Sequence, residues 1–169
     1  MSESGFETQR GYFAIGAERM SKSLNLGNLM RSAHAFGAAF TFTIGATYSA
    51  LEALADTSRS AQHLPHYDWG SVDDIALPRG CMLVGIELLE DAIDLPRFRH
   101  PSRAAYVLGP EKGSLSPELL RRCDVTVKIP TRFCVNVAMA GAIVMYDRYI
   151  SRQTSGRLPG APALPRSRA

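Results

Sequence analysis

The apolar residues of the chain follow two kinds of spacing. Short uninterrupted runs are typical of buried strands, and recurrence every three or four residues is typical of helices. The runs predict strands at 11–16, 39–44, 82–88, 104–108 and 125–129, and the helical spacing predicts helices at 25–36, 72–77, 118–122 and 135–150. Strands that alternate with helices predict one α/β domain in which a mostly parallel sheet is flanked by helices.

The first predicted helix has recognisable ends. Asn25 is a plausible cap and Gly37 a plausible stop, while Asn28 and Arg31 fall off its apolar face. A strand, this helix and a second strand lie within residues 11–44, which predicts a βαβ unit.

A glycine-bearing turn follows the apolar run Tyr106–Leu108. Gly109, Pro110 and Gly113 interrupt the run, and Pro117 suits the first turn of the next helix. Glycine lets the backbone approach a ligand at the carboxyl end of a strand, so the turn is a candidate nucleotide-type site. A plain connection between a strand and a helix explains the same residues.

Two other segments allow both a functional and a structural interpretation. The stretch 45–70 has no sustained hydrophobic period, and it interleaves Arg59 and His63 with aromatic residues. Basic and aromatic side chains together could contact the phosphates and bases of RNA. A surface loop with a few aromatic residues has the same composition. Before the last helix, Asn136 either caps that helix or directs its amide at a ligand, and Cys134 looks buried. Met139, Ile143 and Tyr146 are spaced as a core or dimer face, with core packing the simpler explanation for each.

Composition limits the class of protein. The 169 residues are 46% hydrophobic and 21% charged, as expected for one soluble domain. The longest apolar stretch, Val137–Tyr146, is too short to cross a bilayer, and the amino terminus lacks an apolar signal core, so we expect a cytoplasmic protein. Three widely spaced cysteines without a Cys-x-x-Cys pair predict neither disulfides nor a metal site.

The net charge of +3 is unevenly distributed. Four arginines and no acid give residues 151–169 a charge of +4, which leaves −1 for residues 1–150. This Pro/Gly-rich tail is either an arm that touches phosphates or an unstructured end that aids solubility. We therefore expect a flexible amino terminus at 1–10, one domain at 11–150 and a flexible basic tail at 151–169.

Three stretches together resemble the three motifs of the SpoU/TrmH branch of the SPOUT RNA methyltransferases, over residues 11–150. They are NLGNLMRSAHAFGA at 25–38, YVLGPEKGSLSPELL at 106–120 and FCVNVAMAGAIVMYDR at 133–148. The resemblance implies a carboxyl-terminal trefoil knot, S-adenosylmethionine as methyl donor, a homodimer, and transfer to a ribose 2′-hydroxyl of tRNA or rRNA. The implied cofactor-binding residues are Ile86, Leu108, Gly109, Glu111, Gly113, Ile129, Cys134 and Val135.

The resemblance also implies the residues that act on RNA. Arg31 and Asn25 match the first-motif residues used at the ribose hydroxyl, and Asn136 matches the third-motif asparagine. A guanidinium stays protonated, so Arg31 suits phosphate binding and stabilisation of a developing alkoxide better than proton abstraction. Arg59 and His63 are the further candidates for RNA contact.

The chain departs from the family pattern in both later motifs. The second glycine of Gly-x-Glu-x-x-Gly comes one position early, at Gly113, and Cys134 and Ala138 replace the two serines of the third motif. The lost hydroxyls leave a second hypothesis open, that of a protein that binds cofactor or RNA without turnover.

Overall fold

In the computed structural model, residues 11–47 and 64–152 are described. Their strands, in chain order, are β1 (Tyr12–Glu18), β2 (Phe40–Ile44), β3 (His66–Trp69), β4 (Met82–Ile86), β5 (Ile93–Asp94), β6 (Arg103–Leu108) and β7 (Val125–Lys128). Their helices are α1 (Ser23–Ala35), α2 (Pro117–Arg122) and α3 (Val137–Arg152), and short 3-10 turns cover Val72–Asp74 and Leu95–Arg97.

The strands form one sheet in the order β3-β2-β1-β6-β4-β7-β5. Every neighbouring pair is parallel, which confirms the predicted sheet and the βαβ unit β1-α1-β2. Parallel strands end at a common edge, so the segments that follow β1, β4, β6 and β7 meet there. This is the side of an open α/β sheet on which ligands bind.

Strand alternation builds a core on each face of the sheet. In β6, Tyr106 and Leu108 face α1 and α3, whereas Ala105 and Val107 face the α2 side together with Phe42 of β2. Both faces of the central strands are thus covered, as a parallel sheet requires. The centre of the sheet is a rigid support for the segments at its carboxyl edge.

The predicted strands and the helices at 25–36, 118–122 and 135–150 match the structure to within about two residues at each end. The helix predicted at 72–77 is wrong, since only a 3-10 turn at Val72–Asp74 is present there, and two strands were not predicted. The edge strand β3 lies inside the stretch expected to be irregular, and the two-residue strand β5 lies between the strands predicted at 82–88 and 104–108. In β3, the polar residues His66 and Asp68 face Thr41 and Thr43 of β2 and hydrogen-bond to them. Because such polar pairing replaces the apolar alternation, the strand carries no period that the sequence alone reveals.

A buried polar network joins α3 to β6 and to the segment that precedes β6. Arg148 donates to the Tyr106 hydroxyl at 3.0 Å, Tyr106 lies 2.6 Å from His100 Nδ1, and His100 Nε2 lies 2.9 Å from Asp147. Burial lowers the pKa of His100, although Asp147 acts in the opposite direction. A neutral His100 therefore accepts from Tyr106 and donates to Asp147, so each buried polar atom of this series has a partner.

Within 11–47 and 64–152, no helix combines the length and the apolarity needed to cross a bilayer. The domain limits, the flexibility of 1–10 and 151–169, and the knot stay predictions.

We predict that Gly141→Ala destabilises the protein, although alanine favours helices. Gly141 lies in α3 against α1, and an added Cβ would come within 2.3 Å of Leu29 Cδ1 and 3.4 Å of Ile15 Cδ1. Without that contact the change would stabilise the helix by about 0.5–1 kcal/mol, whereas overpacking typically costs about 1–3 kcal/mol.

Chemical denaturation of both proteins measures the difference. A more stable variant would contradict the close α1–α3 contact.

Candidate functional site

A cavity of about 300 Å³ lies at the carboxyl edge of the sheet, where β4, β6 and β7 end. It is enclosed by the segments that follow these three strands and by the start of α1 and α3. The lining residues are Lys22, Asn25, Ile86, Glu87, Leu88, Leu108, Gly109, Pro110, Glu111, Gly113, Ile129, Thr131, Cys134, Val135, Asn136, Val137 and Ala140. Segments far apart in sequence thus form one concave surface, which is the usual form of a small-molecule site.

The cavity brings together most of the residues selected from the sequence. All eight proposed cofactor-binding residues line it, as do Asn25 and Asn136. Arg31 does not line it and is exposed on α1. Arg59 and His63 lie outside the described residues.

The Glu111 carboxylate, on the segment after β6, joins that segment to the start of α1. It accepts hydrogen bonds from the Ser21 and Lys22 backbone N–H groups, both at 3.0 Å, and from the Asn25 amide at 3.0 Å. The Ser21 hydroxyl adds a fourth contact at 3.1 Å. Burial acts to raise the pKa of Glu111, but these hydrogen bonds outweigh it and the pKa is lowered.

Asn25 carries the connection on to α3. Its side-chain nitrogen donates to Glu111, and its side-chain oxygen accepts from the Asn136 amide at 3.1 Å. The Asn136 oxygen accepts from the Ala138 and Met139 backbone N–H groups, so Asn136 is confirmed as the cap of α3. The three motif segments are therefore connected through Glu111, Asn25 and Asn136.

The expectation that Asn25 caps α1 is wrong. The helix begins at Ser23 after the N-cap Lys22, whose side chain makes no cap hydrogen bond. The first turn of α1 contains no acid, and Glu111 reaches the start of the helix from another segment. A carboxylate there also interacts favourably with the helix dipole.

A second set of contacts joins the end of β1 to the segment after β6. The sequence did not predict these contacts. Glu18, buried at the end of β1, accepts from the backbone N–H of Ser116 at 2.7 Å and from its hydroxyl. Arg19 has a φ of 49° and donates to the Ser114 carbonyl at 2.9 Å. The acid at the end of an apolar strand was the available signal for Glu18, whereas nothing in the sequence pointed to Arg19.

The loop after β6 also depends on its two glycines. Gly113 has a φ of 98°, a conformation that side chains disfavour, so the shifted second glycine of the motif occupies a left-handed position. An added Cβ at Gly109 would lie 3.3 Å from Leu115 N and 3.4 Å from Glu87 Oε2. Gly109 therefore lets the end of β6 approach the Glu87 carboxylate closely.

The segment before α3 is more exposed than its sequence indicates. Cys134 is an exposed free cysteine, which corrects the expectation that it is buried. It lies between Phe133, which is 83% exposed, and Val135, which is 38% exposed. The backbone here is folded locally by Thr131, whose hydroxyl donates to the Phe133 carbonyl at 2.8 Å.

Comparisons with known proteins agree with this geometry. The SpoU rRNA Methylase family matches residues 12–146. The chain belongs to the SpoU rRNA methylase family. The matched range contains β1 to β7 and most of α3, and therefore all the described segments that line the cavity.

A relative of this chain is the tRNA (guanosine(18)-2′-O)-methyltransferase TARBP1 of Mus musculus. The two are 27% identical over 158 residues, which cover 84% of this chain and 10% of the mouse protein. The chain thus spans about a tenth of that relative.

Two solved structures share the fold. The AdoMet-bound rRNA methyltransferase from Sinorhizobium meliloti is 26% identical with a TM-score of 0.72, over 84% of this chain and 58% of the other. The SpoU methyltransferase AviRb from Streptomyces viridochromogenes, in complex with AdoMet, is 24% identical with a TM-score of 0.77, over 89% and 61%.

Among residues 11–47 and 64–152, no group of three or more His, Cys, Asp or Glu side chains could hold a metal ion.

We predict that Glu111→Gln destabilises the protein by about 1 kcal/mol at pH 7, because an amide can no longer accept from all four donors. The carboxylate's pKa is lowered on folding, so its stabilisation is present above about pH 4.5 and is lost as the pH falls through the lowered pKa. The difference in stability between the two proteins should therefore shrink as the pH is lowered further below 4.5.

Denaturant unfolding at several pH values measures this difference. Glu118→Gln, a change at a carboxylate whose side chain is 62% exposed, is the control for removing one negative charge. An equal loss in both variants would contradict the bridging role of Glu111.

Proposed function

We propose that the chain is an S-adenosylmethionine-dependent RNA methyltransferase that transfers a methyl group to a ribose 2′-hydroxyl of tRNA or rRNA. The observation that carries the proposal is the connection of Glu111, Asn25 and Asn136 around the cavity. It unites the three motifs that the family resemblance identified separately. The mouse relative, a tRNA 2′-O-methyltransferase by name, supports the choice of acceptor.

The cavity fits the cofactor in size and in chemistry. Its volume of about 300 Å³ is at the lower end of ligand sites, and its walls are mostly apolar side chains and backbone. Gly109 leaves the backbone accessible beside Glu87 and Leu115. Leu108, Gly109 and Gly113 would hold the cofactor from one side, with their loop positioned by the hydrogen bonds of Glu111. Ile86, Ile129, Cys134 and Val135 would hold it from the other side.

S-adenosylmethionine supplies a methyl group that its positively charged sulfur already activates. When bound, the donor would supply this methyl group to the hydroxyl oxygen, its carbon–sulfur bond would break with the electron pair on sulfur, and the hydroxyl proton would pass to an RNA phosphate or water. The protein mainly has to align the oxygen, carbon and sulfur. A cavity whose three segments are hydrogen-bonded together suits this requirement.

Arg31 and Asn25 have different parts in this proposal. Arg31, exposed on α1, would bind the RNA phosphate and stabilise the developing negative charge on oxygen. The side-chain nitrogen of Asn25 donates to Glu111, and its side-chain oxygen accepts from Asn136, so both polar atoms are already engaged. We therefore infer that Asn25 acts as a positioning residue, which keeps the first-motif helix in register with the cavity.

In the homodimer that the family resemblance implies, we infer that Arg31 of one copy acts at the cavity of the other, as the first-motif arginine often does in that family. Met139, Ile143 and Tyr146, expected to be core residues, instead have exposed fractions of 62%, 39% and 55%. Their spacing places them on one face of α3, immediately after the exposed Phe133 and Val135. A continuous apolar helix face of this kind suits a second copy of the chain.

The alternative is a protein that binds cofactor or RNA without methyl transfer. The specific observation in its favour is the replacement of both third-motif serines by Cys134 and Ala138, whose side chains offer no hydroxyl. Calorimetry with S-adenosylmethionine, followed by labelled methyl transfer to unmodified total RNA, separates the two. Binding without incorporation would favour the alternative. A cytoplasmic location stays a prediction.

We predict that Arg31→Ala loses about 10²-fold or more in methyl transfer but keeps cofactor binding, because the guanidinium lies outside the cavity. The measurement is labelled methyl incorporation together with calorimetry. Arg121→Ala removes an arginine that is 71% exposed on α2 and should retain activity. Unchanged transfer by the Arg31 variant to its native RNA would refute the assignment.

We predict that Ile143→Glu shifts the protein towards monomers, because two copies would each bury a charge in an apolar interface. Sedimentation velocity measures the shift, and activity should fall with the dimer fraction if Arg31 acts across the interface. Met82→Glu, on β4 and 37% exposed, is the matched control. A wild-type monomer with full activity would refute the dimer.

A further inference from the structure

Glu87 is a charged residue of the cavity whose role the family resemblance did not suggest. It follows Ile86 directly at the carboxyl end of β4, and its backbone N–H donates to the Val127 carbonyl of β7 at 3.0 Å. This bond continues the β4–β7 pairing by one residue. The side chain of Glu87 therefore starts from a fixed backbone in the centre of the sheet.

The Glu87 carboxylate makes two hydrogen bonds, both to backbone. Oε2 accepts from Leu115 N at 2.7 Å and Oε1 accepts from Leu88 N at 3.0 Å. A carboxylate can accept about four hydrogen bonds, so each oxygen retains acceptor capacity. Glu87 lines the cavity, so a ligand bound there would lie beside this carboxylate.

Lys22 and Glu111 are the other charged residues of the lining, and Glu111 is already engaged by four donors. Ile86, Leu88 and Leu108 are apolar residues that line the same cavity as the Glu87 carboxylate. A cationic ligand would gain most from this arrangement, since charge interactions strengthen where water is excluded.

We propose that Glu87 recognises the positive charge of the methyl donor and so sets the preference for the cationic donor over the neutral-sulfur product. This inference rests on the proposed function. Methyl transfer removes the charge from sulfur, and the attraction to Glu87 is then lost. The residue favours donor binding and product release, at the cost of stabilising the donor before it reacts.

The test is calorimetry on the full chain with S-adenosylmethionine and, separately, S-adenosylhomocysteine. Glu87→Gln should raise the Kd of the donor about tenfold, as expected for one lost charge interaction in a partly buried site, and that of the product less than about threefold. Glu90→Gln, an exposed acid that does not line the cavity, should change neither value.

A second variant separates charge from hydrogen bonding. Glu87→Asp keeps the charge but shortens the reach to Leu115 N–H, so both affinities should fall while their ratio is retained. If Glu87→Gln fails to fold, the wild type still provides a test. Added salt should weaken binding of the donor more than binding of the product.

The outcomes distinguish the two proposals. A wild type that binds neither compound refutes the proposed function. A wild type that binds both, with an equal loss of both affinities in Glu87→Gln, shows that the role of Glu87 does not depend on the charge of the sulfur, and this overturns the inference. The inference is also overturned if the ratio of the Kd values of donor and product changes neither with added salt nor in Glu87→Gln.

Discussion

The site depends on a carboxylate that hydrogen-bonds to a distant helix start. Glu111 accepts from the backbone N–H of Lys22, the N-cap residue of α1, and through Asn25 it reaches the residue that caps α3. The two long helices that cover one face of the sheet are thereby positioned relative to the segment after β6. Loss of this charge would loosen the two helix starts and the cavity wall together, because all three depend on the same side chain.

The contacts of Glu18 and Arg19 reinforce this connection from the other side of the loop. Glu18 holds Ser116, which also caps α2 through its hydroxyl, and Arg19 holds the Ser114 carbonyl. Ser114 occupies the position at which the family pattern has glycine. The left-handed turn has moved to Gly113, and the shifted loop is still anchored along its length.

The cavity combines rigid walls with one carboxylate that retains acceptor capacity. Most polar groups around it are used in connecting the segments, as Asn25, Glu111 and Asn136 show. Glu87 differs because its two hydrogen bonds leave part of its carboxylate available. This distinction separates residues that shape the cavity from a residue suited to recognise its ligand.

The sequence by itself determined the parallel α/β architecture and most element ends, because apolar periodicity and turn residues act locally. Its resemblance to the family pattern, rather than any periodicity, named ten of the residues that line the cavity. The sequence did not reveal β3, whose polar residues are satisfied by Thr41 and Thr43 on a distant strand. It also misassigned the cap of α1 and the burial of Cys134 and Met139. Only the tertiary structure decided these points, since hydrogen-bond partners and solvent exposure depend on segments far apart in the chain.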